Sequence, residues 1–529
     1  MDKLKRQLTF KDGISLAFGS VLGSGILFLP SLTYFISGKD TIWVWLFTTI
    51  LCFPLVYIFS DMVKEIPNES GIEGFVSAGL GNRIGSTIPI LFLGTVSLGM
   101  PSSALIVGEY VKNCFSGGSH YQTITAIFIV LSGMLVNLSG IKIGANIQLA
   151  ITFLITVAGV ALLILAPPSV IVTAPLELGS IDLVSIFPGI VVAFWAFAGF
   201  ENLTFMAGEF KNPAKDLKIS MFVALFCCGL LYLFLSASVQ SHIAQSNVNP
   251  IAGLYQISET VYQPVIATMV ITIFAFLAVQ INFNSWIWGM SRLIYSSARH
   301  NKLPAYFSVL NEKNIPARAI YTLGCIFIGI IFLSNLFPAF LETMLVVVST
   351  NFVFIYALCL TSFVSYRRIS LLKIIAIIML AFFIILMLSS KWLLLYPVLL
   401  LGLGILINKM FYSNVDKTTK QVITKSADLI FIDDYESITE AWVLHGHVRG
   451  KMVAPYNSIN AFRVDLNKFD LITPVYIDSD LNDVIKGQDF AKELYEYGFK
   501  NIYLATGRPR SNFPKMFWIK EVVGKMPPF

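Results

Sequence analysis

"GSVLGSGILFLP", residues 19–30, lies inside the first long apolar run of the chain. It carries Gly19, Gly23, Gly25 and Pro30 where a plain membrane helix favours leucine and alanine. An interior glycine weakens a helix by roughly 1 kcal/mol relative to alanine, and an interior proline by about 3. The sixth apolar run repeats the oddity. In "FPGIVVAFWAFAGFENLTFMAGEFKNP" (residues 187–213), small residues Ala196, Ala198 and Gly199 interrupt the pattern and Glu201 places a charge at membrane depth. Unwinding a helix inside lipid frees backbone N–H and C=O groups, which is tolerated only where they line a cavity or meet a ligand. Freed N–H groups at a half-helix start suit a carboxylate, and freed carbonyls suit an ammonium. An amino acid zwitterion carries both. Paired interrupted segments at corresponding positions of two halves point to a transporter built from inverted repeats. The alternative is close helix packing, which the Gly19-x-x-x-Gly23 spacing also fits.

Composition sets the frame for this reading. Of 529 residues, 56% are hydrophobic and 13% charged, where a soluble domain has roughly 25% charged. Apolar runs long enough for membrane helices recur from Phe10 to Phe411. Twelve spans are expected, near residues 13–36, 41–62, 85–112, 121–139, 144–166, 186–208, 219–241, 264–296, 317–336, 342–365, 369–389 and 392–411. The first run is too long for a cleavable signal and lacks a small-residue cleavage site. Lysine and arginine concentrate in alternate loops, with Lys64, Arg83, Lys142, Lys211, Lys215 and Lys218 on one side and little beyond Lys39 and Lys391 on the other. The positive-inside rule then places both termini in the cytoplasm and the chain in the bacterial inner membrane, in contact with lipid. The net charge of +6 is this topological bias, so no nucleic-acid partner is expected. The six cysteines have neither metal-ligand spacing nor a disulfide framework.

Three motifs stand in a telling order: "GSGILFLP" (residues 23–30), "FWAFAGFE" running into "GEFKNPAKD" (194–201 and 208–216), and "SRLIYSSARHNKLP" (291–304). Over residues 8 to 412 the chain resembles the amino acid–polyamine–organocation (APC) superfamily of transporters. Within it, "SGKDTIWVW", "FPLVYIFSDM" and "VSLGMPSSALIVGEY" look most like bacterial exporters of methionine and branched-chain amino acids. The resemblance implies five plus five inverted repeats with two extra helices, the LeuT-like arrangement. It also implies that backbone N–H groups around Gly23, Ser24, Gly25 and Ile26 hold the substrate carboxylate, that carbonyls near Trp195 and Ala198 hold its ammonium, and that Trp195 gates the substrate. Trp195 also fits a core tryptophan. Glu201 either couples half-helix movement to substrate or proton, or caps the half-helix by accepting backbone N–H bonds. Asn284, with Ser102 and Ser103, either lines the pocket or glues helices together. Arg292 and Arg299 read as topological anchors near the cytoplasmic end, and Glu109 and Glu209 lie toward span ends. With no counter-charge for a charged side chain, the pocket suits methionine, leucine, isoleucine or valine.

The last hundred residues differ. Domain 1–412 is the transporter, 413–425 a linker and 426–529 a cytoplasmic α/β domain. "ADLIFIDD", "KMVAPY", "TPVYID", "NIYLATG" and "EVVGK" read as strands, with helical patterns such as "KGQDFAKELYEYGF" between them. Repeated β–α order implies a parallel sheet with its site at the strands' carboxyl ends. There stand Asp433, Asp434, Asp478, Thr506 and Lys525, a set able to hold Mg²⁺ and accept a phosphoryl group. The tail resembles the receiver domain of bacterial response regulators. The resemblance implies that Asp433 and Asp434, with Asp478, hold Mg²⁺, that Asp478 accepts a phosphoryl group from a kinase, that Thr506 senses it and that Lys525 pairs with it. Val522 and Met526 depart from the receiver pattern, which leaves a degenerate docking domain as the alternative.

The expectation is a secondary transporter of neutral, apolar amino acids working by alternating access, with efflux and regulation by the tail as further possibilities. It needs no cofactor for transport. The rival class is an amino acid sensor that signals through the tail. No nucleophile–base pair or nucleotide loop suggests an enzyme.

Overall fold

The first apolar run folds as two helices rather than one. In this computed structural model, α1 (Phe10–Val21) ends where Leu22 turns extended, at ψ 116°, after a last bond from its N–H to the Phe18 carbonyl. The chain then restarts as α2 (Gly25–Ser37). Thr9 opens α1, its amide and hydroxyl both donating to Asp12 Oδ2 at 2.8 and 2.7 Å. Pro30 lies inside α2 and does not make the break. The structure describes residues 6–23, 25–65, 71–115, 117–165, 182–250, 253–254, 256–257, 264–300, 302–337, 340–366, 370–389, 391–409, 427–435, 438–439, 442–443, 446, 449, 451–481, 486–507, 510, 513–514, 516–525 and 527–528. Ser24 therefore lies outside the described residues.

After α2 the chain runs through α3 (Thr41–Glu65), the short α4 (Ile72–Leu80), α5 (Ile88–Cys114), α6 (Ser119–Ser139) and α7 (Ile141–Leu165). The sixth apolar run is the second break. Helix α8 (Leu183–Phe194) gives way to a 3₁₀ turn at Trp195–Phe197, an extended Ala198 and Gly199 at φ 125°, and resumes as a 3₁₀ stretch over Phe200–Glu209. Ten residues of 3₁₀ helix are unusual, because such runs rarely exceed three or four residues and mark hinges or strain. Then follow α9 (Pro213–His242), α10 (Pro264–Arg299), α11 (Ala317–Leu336), α12 (Phe340–Tyr366), α13 (Leu371–Ser389) and α14 (Trp392–Lys409). The 36 residues of α10 outrun a hydrocarbon core of about 30 Å, given a rise of about 1.5 Å per residue.

By length and composition, ten helical segments among the described residues can cross a membrane, against twelve expected. Two expected spans, 13–36 and 41–62, meet in the continuous run Gly25–Val63. The span expected at 144–166 overlaps α7, whose described apolar part is shorter, Ile143–Ile155. The helices form a polytopic membrane bundle.

The chain divides into two units, Met1–Phe411 and Tyr412–Phe529. In the second, β1 (Leu429–Ile432), β2 (Val453–Tyr456), β3 (Val475–Asp478), β4 (Ile502–Ala505) and β5 (Glu521–Val523) make one parallel sheet in the order β2-β1-β3-β4-β5. The four residues of β1 and of β3 are wholly buried, which is why β1 reads as an unbroken apolar run, and β3 as one that ends in Asp478, rather than as alternating strands. Helices α15 (Ile459–Asp465) and α16 (Gly487–Tyr497) follow β2 and β3. The strand order reverses between β1 and β3, where such sheets build their sites.

Candidate functional site

The two breaks meet. Gly199, at φ 125°, lies so close to the end of α1 that an added Cβ would stand 2.3 Å from the Ser20 carbonyl oxygen. That same carbonyl accepts from Asn282 Nδ2 at 2.9 Å and Trp286 Nε1 at 3.2 Å, and Asn282 also donates to the Gly19 carbonyl at 2.9 Å. Asn202, just past the second break, donates to Ser20 Oγ at 3.0 Å and to the Ser285 carbonyl at 2.8 Å. Helix α10 thus satisfies the backbone that the first break frees, as burial in an apolar bundle requires. The glycines divide their work. A Cβ on Gly19 would come within 2.3 Å of Gln148 and 3.0 Å of the Ile281 carbonyl, so Gly19 permits close packing. Gly23 and Gly25 line a cavity.

That cavity holds about 60 Å³, several times the ~10–15 Å³ that one water needs. Ser20, Gly23, Gly25, Ala198 and Asn282, from the two breaks and α10, stand on its wall. Its other lining includes Val96, Met100, Val348, Phe352, Trp195 and Trp286. No charged side chain occurs among the described residues that line it. Of the residues expected from sequence, Gly23, Gly25, Trp195, Ala198 and Ser103 come together here. Trp195 packs against Phe28 with ring centroids 5.5 Å apart.

Others fall elsewhere. Ile26 is buried outside the lining, and its amide reaches back to the Gly23 carbonyl at 3.4 Å. Ser102 bonds the Leu98 carbonyl on its own helix. Asn284 stands away from the cavity, where its side-chain oxygen accepts from Gln280 and its backbone carbonyl accepts from Asn137. The structure gives it the helix-gluing place, and Asn282, two residues earlier, takes the cavity position.

Glu201 is fully buried. Its Oε2 accepts the Gly199 amide at 2.9 Å and the Tyr356 hydroxyl, while Oε1 has no partner. The carboxylate therefore ties the backbone of the second break to α12. Arg292, expected as a topological anchor near the cytoplasmic end, is 1% exposed. It pairs with Glu209, Nε to Oε1 at 2.7 Å, while Trp288 Nε1 donates to Glu209 Oε2 at 2.8 Å. The ion pair was not visible from the segment itself because the partner lies on another element, beyond the reach of a local reading. A second pairing follows at the end of α10, where Ser297 donates to Glu73 and Lys302, three residues past the helix, lies 2.6 Å from it.

In the second unit the expected residues gather at the strands' carboxyl ends. Lys525 Nζ lies 3.0 Å from Asp433 Oδ2 and 2.9 Å from Asp478 Oδ2. Burial pushes the Asp433 carboxyl above its ordinary range, against the Tyr435 amide and Lys525, which lower it. Burial alone would lower the Lys525 ammonium, but hydrogen bonds to Asp478 and Asp433 outweigh it and hold its pKa up. Oxygens of Asp433, Asp434 and Asp478 lie within 4.8 Å of one another, and Asp478 Oδ1 is buried without a hydrogen-bond partner. Such hard oxygen donors fit Mg²⁺. Ser479, which the sequence reading missed, bonds Thr506 hydroxyl to hydroxyl at 2.8 Å.

Lys525→Ala leaves two buried carboxylates facing each other. Removing one partner of a buried pair costs about 3–5 kcal/mol, and less where the pair is partly exposed. The thermal transition of the second unit is expected to fall, and millimolar Mg²⁺ to restore much of it. Loss with no response to Mg²⁺ counts against a cation site.

A membrane bundle whose two interrupted helices meet at a cavity with no charged side chain among its described lining residues fits a carrier of small molecules. Residues 8–424 match the amino acid permease family, and the chain belongs to it. It is 27% identical over 366 residues to the L-methionine/branched-chain amino acid exporter YjeH of Escherichia coli (strain K12), covering 68% of this chain and 86% of that one. It is 30% identical over 369 residues to the uncharacterized amino acid permease YecA of Bacillus subtilis (strain 168), covering 67% and 84%. Similarity to the serine/threonine exchanger SteT of Bacillus subtilis (strain 168) is 26% over 252 residues, covering 46% and 56%. The chain is thus a multi-pass membrane permease for amino acids, a carrier rather than an enzyme.

Proposed function

We propose that the protein is a secondary transporter that exports neutral, apolar amino acids, among them methionine, leucine, isoleucine and valine, across the bacterial inner membrane by alternating access. One observation carries this reading: the cavity is lined by residues of both breaks, Gly23 and Gly25 from the first and Trp195, Ala196 and Ala198 from the second, with apolar side chains beside them and no charged side chain among its described lining residues. A charged substrate side chain would be desolvated there without a partner, at a cost of several kcal/mol. The resemblance to a methionine and branched-chain exporter supports the same substrates. In this reading the carboxylate sits at the start of α2, the ammonium near the Trp195 and Ala198 carbonyls, and Trp195 closes over the side chain. Glu201 couples the second break to protonation, both termini face the cytoplasm, and the two broken spans belong to five-plus-five inverted repeats.

The tail regulates transport as a receiver-like domain. Asp433, Asp434 and Asp478 would hold Mg²⁺, which when bound supplies charge neutralisation for a phosphoryl group. Asp478 is the acceptor from a kinase, Thr506 the sensing hydroxyl and Lys525 the counter-charge. The sheet order and the meeting of these five residues support this assignment.

Energised inverted vesicles test the whole. Labelled methionine should accumulate inside, an uncoupler should abolish the gradient, and excess leucine, but neither lysine nor glutamate, should compete. A chain truncated after Met410 should transport at a changed rate. Binding without accumulation favours the sensor instead, and equal rates with and without the tail remove the regulatory role.

A further inference from the structure

Tyr232, on α9, belongs to none of the motifs that pointed to the cavity. Its ring is fully buried, stacked on Trp45 at 4.6 Å and 5°, with Phe197 5.8 Å away. Two aromatic contacts therefore fix its aim. Its hydroxyl is buried without a hydrogen-bond partner, although buried hydroxyls almost always find one. Tyr232 lines the cavity, and its hydroxyl lies 3.5 Å from the position a Cβ on Gly25 would take.

The place decides what the hydroxyl waits for. Gly25 begins the 13-residue helix α2. First-turn N–H groups of a helix lack intrahelical acceptors, and the helix dipole makes this end positive. Beside it a phenol acts as a donor to an anion rather than an acceptor from a cation. No lysine, arginine or histidine stands among the described lining residues to compete for that anion.

We propose that Tyr232 is a substrate-binding residue whose hydroxyl donates a hydrogen bond to the carboxylate of an amino acid seated at the start of α2. This rests on reading the cavity as the amino acid site, and it adds a specificity: the carrier demands a free α-carboxylate. A ligand without one leaves the Tyr232 hydroxyl unpaired, a defect that sites built on hydrogen bonds reject strongly.

The test is equilibrium binding to the full chain in detergent, using L-methionine and its decarboxylated counterpart 3-(methylthio)propylamine as competitors. Wild type, Tyr232→Phe and Tyr110→Phe are compared. Phenylalanine keeps both ring contacts, so the thermal transition of Tyr232→Phe should hold or rise. Tyr110 also carries a buried hydroxyl without a partner, but away from the cavity, and serves as the control. Tyr232→Phe should weaken methionine about 10-fold or more, as loss of a hydrogen bond to a charged group does. It should leave the amine's weaker competition as it was, and Tyr110→Phe should change neither. Methionine affinity within about twofold of wild type overturns the proposal, as does equal weakening of both ligands. If the wild type binds none of methionine, leucine, isoleucine and valine, the reading of the cavity itself fails and the proposal falls with it.

Discussion

Gly199→Ala is expected to abolish amino acid binding while leaving the protein inserted in the membrane. Two independent penalties meet at this position. At φ 125° an L-residue is strained, by about 1–3 kcal/mol. The new Cβ would also stand 2.3 Å from the Ser20 carbonyl oxygen, a contact with backbone that no rotamer change relieves. That oxygen is held by Asn282 and Trp286, so any retreat disturbs the hydrogen bonds that join the breaks to α10. The check is methionine affinity in detergent beside Gly329→Ala, where an added Cβ meets nothing within 4 Å. Gly329→Ala should bind as wild type does. Wild-type binding by Gly199→Ala would show that the close approach of the two breaks does not shape the site.

Glu209→Ala should destabilise the bundle more than any cavity-lining change. It strands the Arg292 guanidinium, 1% exposed, and removes the acceptor for Trp288 Nε1. Breaking a buried ion pair by deleting one partner costs about 3–5 kcal/mol. The penalty falls on the junction between the second break and α10, where the Glu209 carbonyl also accepts the Gln7 and Leu8 amides. A large drop in the thermal transition is expected, and Glu209→Ala combined with Arg292→Met should recover part of it, because the stranded charge is gone. An additive double variant would mean the two side chains stabilise the fold separately.

Much of this was legible in the sequence, for physical reasons that also mark where legibility ended. Glycine at residues 23, 25 and 199 is costly in a helix, so its presence in apolar runs announced both breaks. The apolar runs of β1, β3, β4 and β5 each give way to a polar residue at the strand end or within two residues of it, so Asp433, Asp478, Thr506 and Lys525 could be placed at one end of the sheet from the sequence. The helix α10 was harder. Asn282 and Asn284 are equally polar, but successive residues turn about 100° around a helix, and two steps move Asn284 to nearly the opposite face. The i, i+4 spacing of Asn282 and Trp286 was the usable signal, since it sets them on one face. The burial of Arg292 could not be read from its own segment, because what makes a buried arginine tolerable is Glu209, 83 residues earlier. Tyr232 was missed for a similar reason: a tyrosine in an apolar span looks like core until its hydroxyl is found unpaired beside a helix start.

The most direct test of the central claim is counterflow in proteoliposomes loaded with unlabelled methionine, following entry of labelled methionine and leucine with no ion gradient. The account predicts transient, saturable accumulation of both labels, no effect of external lysine or glutamate, and no accumulation with Gly199→Ala. Detectable binding without counterflow, or counterflow that lysine or glutamate inhibits as well as leucine does, would contradict it.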